Sequence, residues 1–238
     1  MTTLPPPVGD VPGAFVDTVQ EAFAHRPGQR FVLFLSGGPT AKLCYEALAA
    51  AAGPSAAGPG VVAIDWSLVD IYMGDERQVP PDDPDANQGL VRQSLLDKVG
   101  PAGSFTPMDT TVPVDECVAS YSAILRSVLD GPGIDLIHLG MGPDGHTASL
   151  FPNAPTLSAG PDELAAATED PNGVNPHPRL TVTLPVINAA RCAVFTVAGA
   201  SKVDAVAALR RGDDIPAARV ASARVVWLLD DLATGQHP

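Results

Sequence analysis

Apolar runs and helical stripes alternate along the whole 238-residue chain. Phe15, Val19 and Phe23 share one face of a helix predicted over 15–24. The run RFVLFLS at 30–36 predicts a buried strand, and 40–52 predicts a helix with Leu43, Ala47 and Ala51 aligned. A Pro/Gly/Ala loop at 53–60 separates it from a second predicted strand, LVDIYMG at 68–74. The stretch DERQVPPDDPDANQG, 75–89, is too polar and too rich in proline for a regular element. Helical spacing returns at 89–99 and 116–129, followed by the strand 134–139. RLTVTLPVI (179–187) and AVFTVAG (193–199) read as further strands. A helix at 202–211 and a closing strand RVVWLLD follow, and 161–178 reads as a loop.

Strands alternating with helices predict an α/β fold, a mostly parallel sheet with helices on both faces. No composition break or internal repeat appears, so one domain is expected over 1–238. In such sheets ligands bind beyond the carboxyl ends of the strands. Those exits carry Ser36-Gly37-Gly38, Gly74-Asp75-Glu76-Arg77, Gly140 to His146, and Gly199-Ala200-Ser201-Lys202.

Composition narrows the classes. The net charge of −13 disfavours nucleic acid and anionic membranes as partners. An anionic small molecule then requires a local island of Arg, Lys and helix N-termini. Cys44, Cys117 and Cys192 are far apart and form no C-x-x-C pair, so they are expected to be reduced, buried thiols. The first ten residues lack the pattern of a signal peptide, and no run reaches the roughly 18 apolar residues needed to cross a bilayer. A cytoplasmic protein is expected.

Each exit has a chemical and a bland reading. LSGGPTAK is strand, glycine turn, helix: it can offer free N–H groups to an anion, or be an ordinary turn. It is no Walker loop, and Thr40 suits either a cap or a ligand contact. In the acidic stretch, Asp82, Asp83 and Asp85 read as solvated, and the EF-hand order is absent. Asp75-Glu76-Arg77 abuts a strand end, which fits an internally paired acid and a ligand-facing Arg, though spacing alone does not decide.

GMGPDGHTASLFPN, 140–153, contains the glycines of a dinucleotide fingerprint. That fingerprint needs a helix at the glycines and an acidic strand end about 20 residues on. Pro143 and Asp144 instead make a turn, and Glu169 and Asp170 sit in no strand context. His146, held between glycines and a short helical segment, suits a general base, with Asp144 or a backbone carbonyl fixing its tautomer. An inert loop histidine is the alternative. Histidines 25, 138, 146, 177 and 237 form no metal-ligand spacing, and no G-x-S-x-G elbow occurs. Arg179 and Lys202 flank neighbouring elements, and a cation opening a helix makes sense beside an anion.

These stretches in this order resemble the 6-phosphogluconolactonase family, related in fold to glucosamine-6-phosphate deaminases. FLSGGPT, DERQVPPDDPDANQGLVRQSLL, IDLIHLGMGPDGHTASLFPN and PHPRLTVTLPVINAARCAVFTVAGASKVDAV carry the resemblance over nearly the whole chain. It implies an open Rossmann-like α/β sheet without a nucleotide, and hydrolysis of 6-phosphoglucono-1,5-lactone without metal or cofactor. It further implies His146 as the base that activates water, and Gly37, Gly38, Thr40, Arg179 and Lys202 as the phosphate site. Arg77 is then a further anion contact, and Asp75 an orienting carboxylate. The family's SGGST is SGGPT here, so Pro39 replaces a hydroxyl that could bind phosphate, and its SN is Ala86-Asn87, which puts a second hydroxyl contact in doubt. The partner expected is a phosphorylated sugar lactone, bound by a monomer or small homo-oligomer. A sugar-phosphate isomerase or deaminase is the nearest alternative. Deaminases carry a glutamate where Phe151 stands here, and ring opening needs that carboxylate. A non-catalytic sugar-phosphate sensor would need the phosphate site but not His146.

Overall fold

The computed structural model describes residues 4–52, 63–174 and 176–235, so the predicted 53–60 loop lies outside the described residues. Helix α1 (Val11–Ala24) begins at Asp10, whose carboxylate accepts the Gly13 N–H, and buries the predicted Phe15, Val19 and Phe23 stripe. Strand β1 (Phe31–Leu35) is buried at every position. Helix α2 (Pro39–Ala50) buries Ala41, Cys44, Tyr45, Leu48 and Ala49. The predicted stripe is therefore displaced around the helix: Leu43 is 55 % exposed, because Tyr45 turns inward to bond Ser36.

Strand β2 (Val69–Met73) runs parallel to β1. The acidic stretch is more ordered than its polarity predicts. Asp75–Arg77 forms β3, and α3 (Asn87–Val91) leads through a π turn at Arg92–Leu96 into α4 (Asp97–Val99). A short strand β4 (Ser104–Thr106), which the pattern does not reveal, pairs with β2. Helix α5 (Val114–Asp130) and strand β5 (Leu136–Gly140) follow the prediction closely. The 161–178 loop contains β6 (Ala165–Thr168). The apolar run 179–187 divides into β7 (Arg179–Val182) and α6 (Leu184–Ala189), since Pro185 suits a first helical turn and not a strand interior. Strand β8 (Cys192–Val197), helix α7 (Val203–Arg211) and strand β9 (Arg224–Leu229) complete the chain.

Among the described residues six strands form one parallel sheet in the order β4-β2-β1-β5-β8-β9, with helices on both faces. The runs of β1, wholly apolar, and β8, apolar but for Thr196, suit strands covered on both sides. Phe195 on β8 stacks on Trp227 of β9 at 3.9 Å between centroids, worth about 0.5–1.5 kcal/mol beyond the area buried. Strand order reverses between β1 and β5, so their carboxyl ends splay apart and leave a crevice. A second sheet, β3-β7-β6, is antiparallel. It closes one side of that crevice with β3.

Candidate active site

A cleft of about 350 Å³ opens at the reversal point. Its walls bring together the predicted Gly37, Gly38, Thr40, Asp75 and Arg77. His146, Arg179 and Lys202 line the same cleft. The remaining predicted residue, Asp144, sits behind His146 and bonds it.

The β1 exit forms one wall. Gly38 adopts φ +104°, open to glycine, and occupies the N-cap of α2. Thr40 therefore lies inside the first turn and is not the cap. No side chain caps α2 among the described residues, and Pro39 has no N–H to offer. The first-turn amides thus meet the cleft with the positive end of the helix dipole behind them. Ser36, beneath, donates its hydroxyl to the His138 carbonyl, tying the ends of β1 and β5 together. His138 is itself a core residue, bonded through both ring nitrogens to Tyr45 and Thr196. Burial pushes its pKa down to about 3.

The β5 exit forms the opposite wall as a closed turn, and the helical segment expected after His146 is instead a tight turn in which Thr147 bridges to Leu150. The Gly142 N–H donates to the His146 carbonyl at 2.8 Å, and the Gly145 N–H to the Gly142 carbonyl at 3.0 Å. These two amides are engaged within the loop, so donors for an oxyanion must come from elsewhere on the cleft wall. The Asp144 carboxylate lies 2.6 Å from His146 Nδ1 and also accepts the His146 backbone N–H. Burial works against ionisation of Asp144, yet its bonds to His146 outweigh that and hold the carboxyl below its ordinary value. With Nδ1 bonded to a carboxylate, the ring proton belongs there and Nε2 keeps the lone pair. The Phe151 ring packs 4.9 Å from the imidazole centroid. Ala148, also on the cleft, is held at φ +48°, a strained conformation for a residue with a Cβ.

Asp75 and Arg77 alternate onto the cleft side of β3. Asp75 is buried and accepts the Ser149 hydroxyl at 2.7 Å, joining β3 to the His146 loop. The antiparallel register sets Arg77 opposite Arg179, two cations side by side. Like charges so placed repel, and burial lowers the pKa of Arg179, which Asp75 counteracts and Arg77 reinforces. Asp85 is not merely solvated: it accepts from Arg77 Nη1 at 3.1 Å and lies 2.9 Å from His177. Lys202 closes the ring of cations. Burial lowers its pKa, Asp144 partly offsets this, and it forms no ion pair among the described residues.

Two cleft residues, Asn87 and Thr196, and one behind the wall, Ser149, escaped the sequence reading of the site. Asn87 reaches Asp75 from α3, Thr196 bonds His138, and Ser149 supports Asp75 from behind. Ser149 lies three positions after His146 in the quoted motif, the one signal that could have exposed it. The three cysteines are buried and unbridged, as expected. Among the described residues no helix is long and apolar enough to cross a membrane.

A protein-family model described as Glucosamine-6-phosphate isomerases/6-phosphogluconolactonase matches residues 10–227. A 6-phosphogluconolactonase of Synechocystis is 38 % identical over 90 % of this chain and 87 % of its own. The human 6-phosphogluconolactonase is 36 % identical over 86 % of this chain and 80 % of its own. Among solved structures, a 6-phosphogluconolactonase from Thermotoga maritima superposes with a TM-score of 0.81 at 26 % identity, covering 96 % of this chain and all (100 %) of that one. A monomeric glucosamine-6-phosphate deaminase shares the fold, with a TM-score of 0.80 at 16 % identity over 99 % of this chain and 100 % of that one. With the family model spanning most of its length, the chain belongs to the glucosamine-6-phosphate isomerase/6-phosphogluconolactonase family.

Proposed function

We propose that the chain hydrolyses 6-phosphoglucono-1,5-lactone to 6-phosphogluconate, the activity its relatives are named for. One observation carries the reading: an Asp144-paired His146 shares a cleft with Arg77, Arg179, Lys202 and the uncapped start of α2. The cations and helix amides would hold the phosphate, which relieves the repulsion between Arg77 and Arg179. His146 Nε2 would take a proton from water as its oxygen attacks the lactone carbonyl carbon. The tetrahedral intermediate then collapses, the bond from the carbonyl carbon to the ring oxygen breaks, and Nε2 returns the proton to that oxygen. Asp144 stabilises the imidazolium formed between the two transfers, and Asp75 orients groups on the facing wall.

Phe151 argues against ring opening of an amino sugar. It is buried beside the imidazole where the deaminases carry their glutamate, so a second proton carrier is missing. The net charge of −13 fits a small-molecule substrate and no polyanionic partner. The reading is that of a cytoplasmic enzyme, monomeric or a small homo-oligomer. Proton release from freshly made 6-phosphogluconolactone, with EDTA present, tests it against His146→Ala. Acceleration by the wild type, lost in the variant while 6-phosphogluconate still binds, is expected. A wild type no faster than spontaneous hydrolysis overturns the reading.

A further inference from the structure

Glu76 is wholly buried, and the reaction described above does not use it. It stands between Asp75 and Arg77 on β3, so alternation turns it away from the cleft that both neighbours line. Its Oε1 accepts the N–H of Arg77 at 2.8 Å and of Asn87 at 2.6 Å, and its Oε2 accepts the N–H of Gln88 at 2.8 Å. Burial pushes the carboxyl up to about 7, and those three N–H groups work in the opposite direction. Asp75 on the same strand, Arg179 on β7 and Tyr121 on α5 are the titratable groups that feel its charge.

These donors sit at the two ends of one segment. Residues 78–86 hold Pro80, Pro81 and Pro84 and no helix or strand. The carboxyl clips the entry of that segment, at Arg77, to its exit, at Asn87 and Gln88. Asn87 is thereby fixed in a narrow place. Its Nδ2 donates to the Asp75 carbonyl at 3.1 Å, and a Cβ on Gly37 would lie 1.9 Å from its Oδ1. The Asn87 amide is thus wedged between β3 and the glycine turn that opens α2, and it lines the cleft.

We propose that Glu76 is a positioning residue for the phosphate end of the cleft: its buried carboxyl sets Arg77 and Asn87, and through Asn87 the Gly37–Gly38 turn. The inference rests on the phosphorylated-lactone reading. It separates binding from chemistry, because nothing in the clip touches the Asp144–His146 pair. A buried carboxyl is suited to this place because it alone accepts from both ends of the segment; a neutral amide would set an NH₂ against the Gln88 N–H.

The test compares Glu76→Gln, Asn87→Ala and the double variant with wild type, reading kcat, KM and the affinity for 6-phosphogluconate by calorimetry. Circular dichroism and a thermal transition check folding. For Glu76→Gln, KM and the 6-phosphogluconate dissociation constant are expected to rise about tenfold or more, with kcat within about twofold of wild type. The pH profile of kcat should not move. The double variant should cost less than the two single losses combined, since both act in part through Asn87. A folded Glu76→Gln with unchanged KM and affinity overturns the proposal, as does a loss confined to kcat. Should Glu76→Gln not fold, Asn87→Ala decides alone: an unchanged KM overturns the proposal. A wild type that binds 6-phosphogluconate without hydrolysing the lactone sinks the lactonase reading only, and the affinities still test the clip. A wild type that does neither overturns both.

Discussion

Oδ1 of Asp144 lies 2.6 Å from Nδ1 of His146, two residues further along the same turn. That bond decides which ring nitrogen is basic. Asp144→Asn keeps an oxygen at the Oδ1 place, where it accepts both the Nδ1 proton and the His146 backbone N–H, so the tautomer holds. What is lost is the negative charge that stabilises the imidazolium once Nε2 has taken the proton of water. We expect kcat to fall about 10²–10⁴-fold with KM for the lactone unchanged, measured by proton release under saturation. A kcat close to wild type would leave Asp144 with no part in catalysis.

Gly142 is the second requirement for that geometry. A Cβ there would stand 2.1 Å from His146 Nδ1 and 2.7 Å from Asp144 Oδ1. The imidazole has to move away, while the surrounding strands do not. Gly142→Ala should therefore lower kcat about as far as Asp144→Asn does, with Tm changed by only a few degrees. Wild-type kcat in this variant would show that the imidazole has room the structure does not give it.

Much of this fold is legible because parallel strands covered on both faces read as predominantly apolar runs. β1, β5 and β8 follow from that alone, and their glycine-bearing exits point to His146 and Lys202. The small sheet is hidden for a physical reason. β3 is Asp-Glu-Arg, and its burial is compensated by hydrogen bonds to Ser149 and to the amides of α3, which periodicity does not record. β6 is Ala-Ala-Ala-Thr, with almost no intrinsic strand preference. Asn87 and Ser149 were invisible as site residues because their roles depend on contacts with Asp75 across 12 and 74 residues.

Lys202 tests the phosphate end. Its ammonium is half-buried and forms no ion pair among the described residues, which is costly unless an anion arrives. Lys202→Ala is expected to raise KM for the phosphorylated lactone about 10–100-fold, the equivalent of one charged hydrogen bond. Turnover of unphosphorylated gluconolactone should hardly change. Equal losses on both substrates would assign Lys202 to the reacting end of the cleft.

His138 makes stability depend on pH. Its imidazole is buried, bonded on both nitrogens and held at a pKa of about 3, far below the ordinary value near 6.5. Below about pH 6.5 the unfolded chain binds a proton that the native state refuses, so stability falls as pH falls, by about 1.4 kcal/mol per unit. At about pH 5 the wild type should have lost about 2 kcal/mol through this group alone. His138→Gln has no such proton to bind. Although it will be less stable than wild type at neutral pH, its deficit should shrink between about pH 7.5 and 5 in urea unfolding. A deficit that stays constant across that range would mean that the native state protonates His138 as readily as the unfolded chain does, and that its burial carries no acid sensitivity.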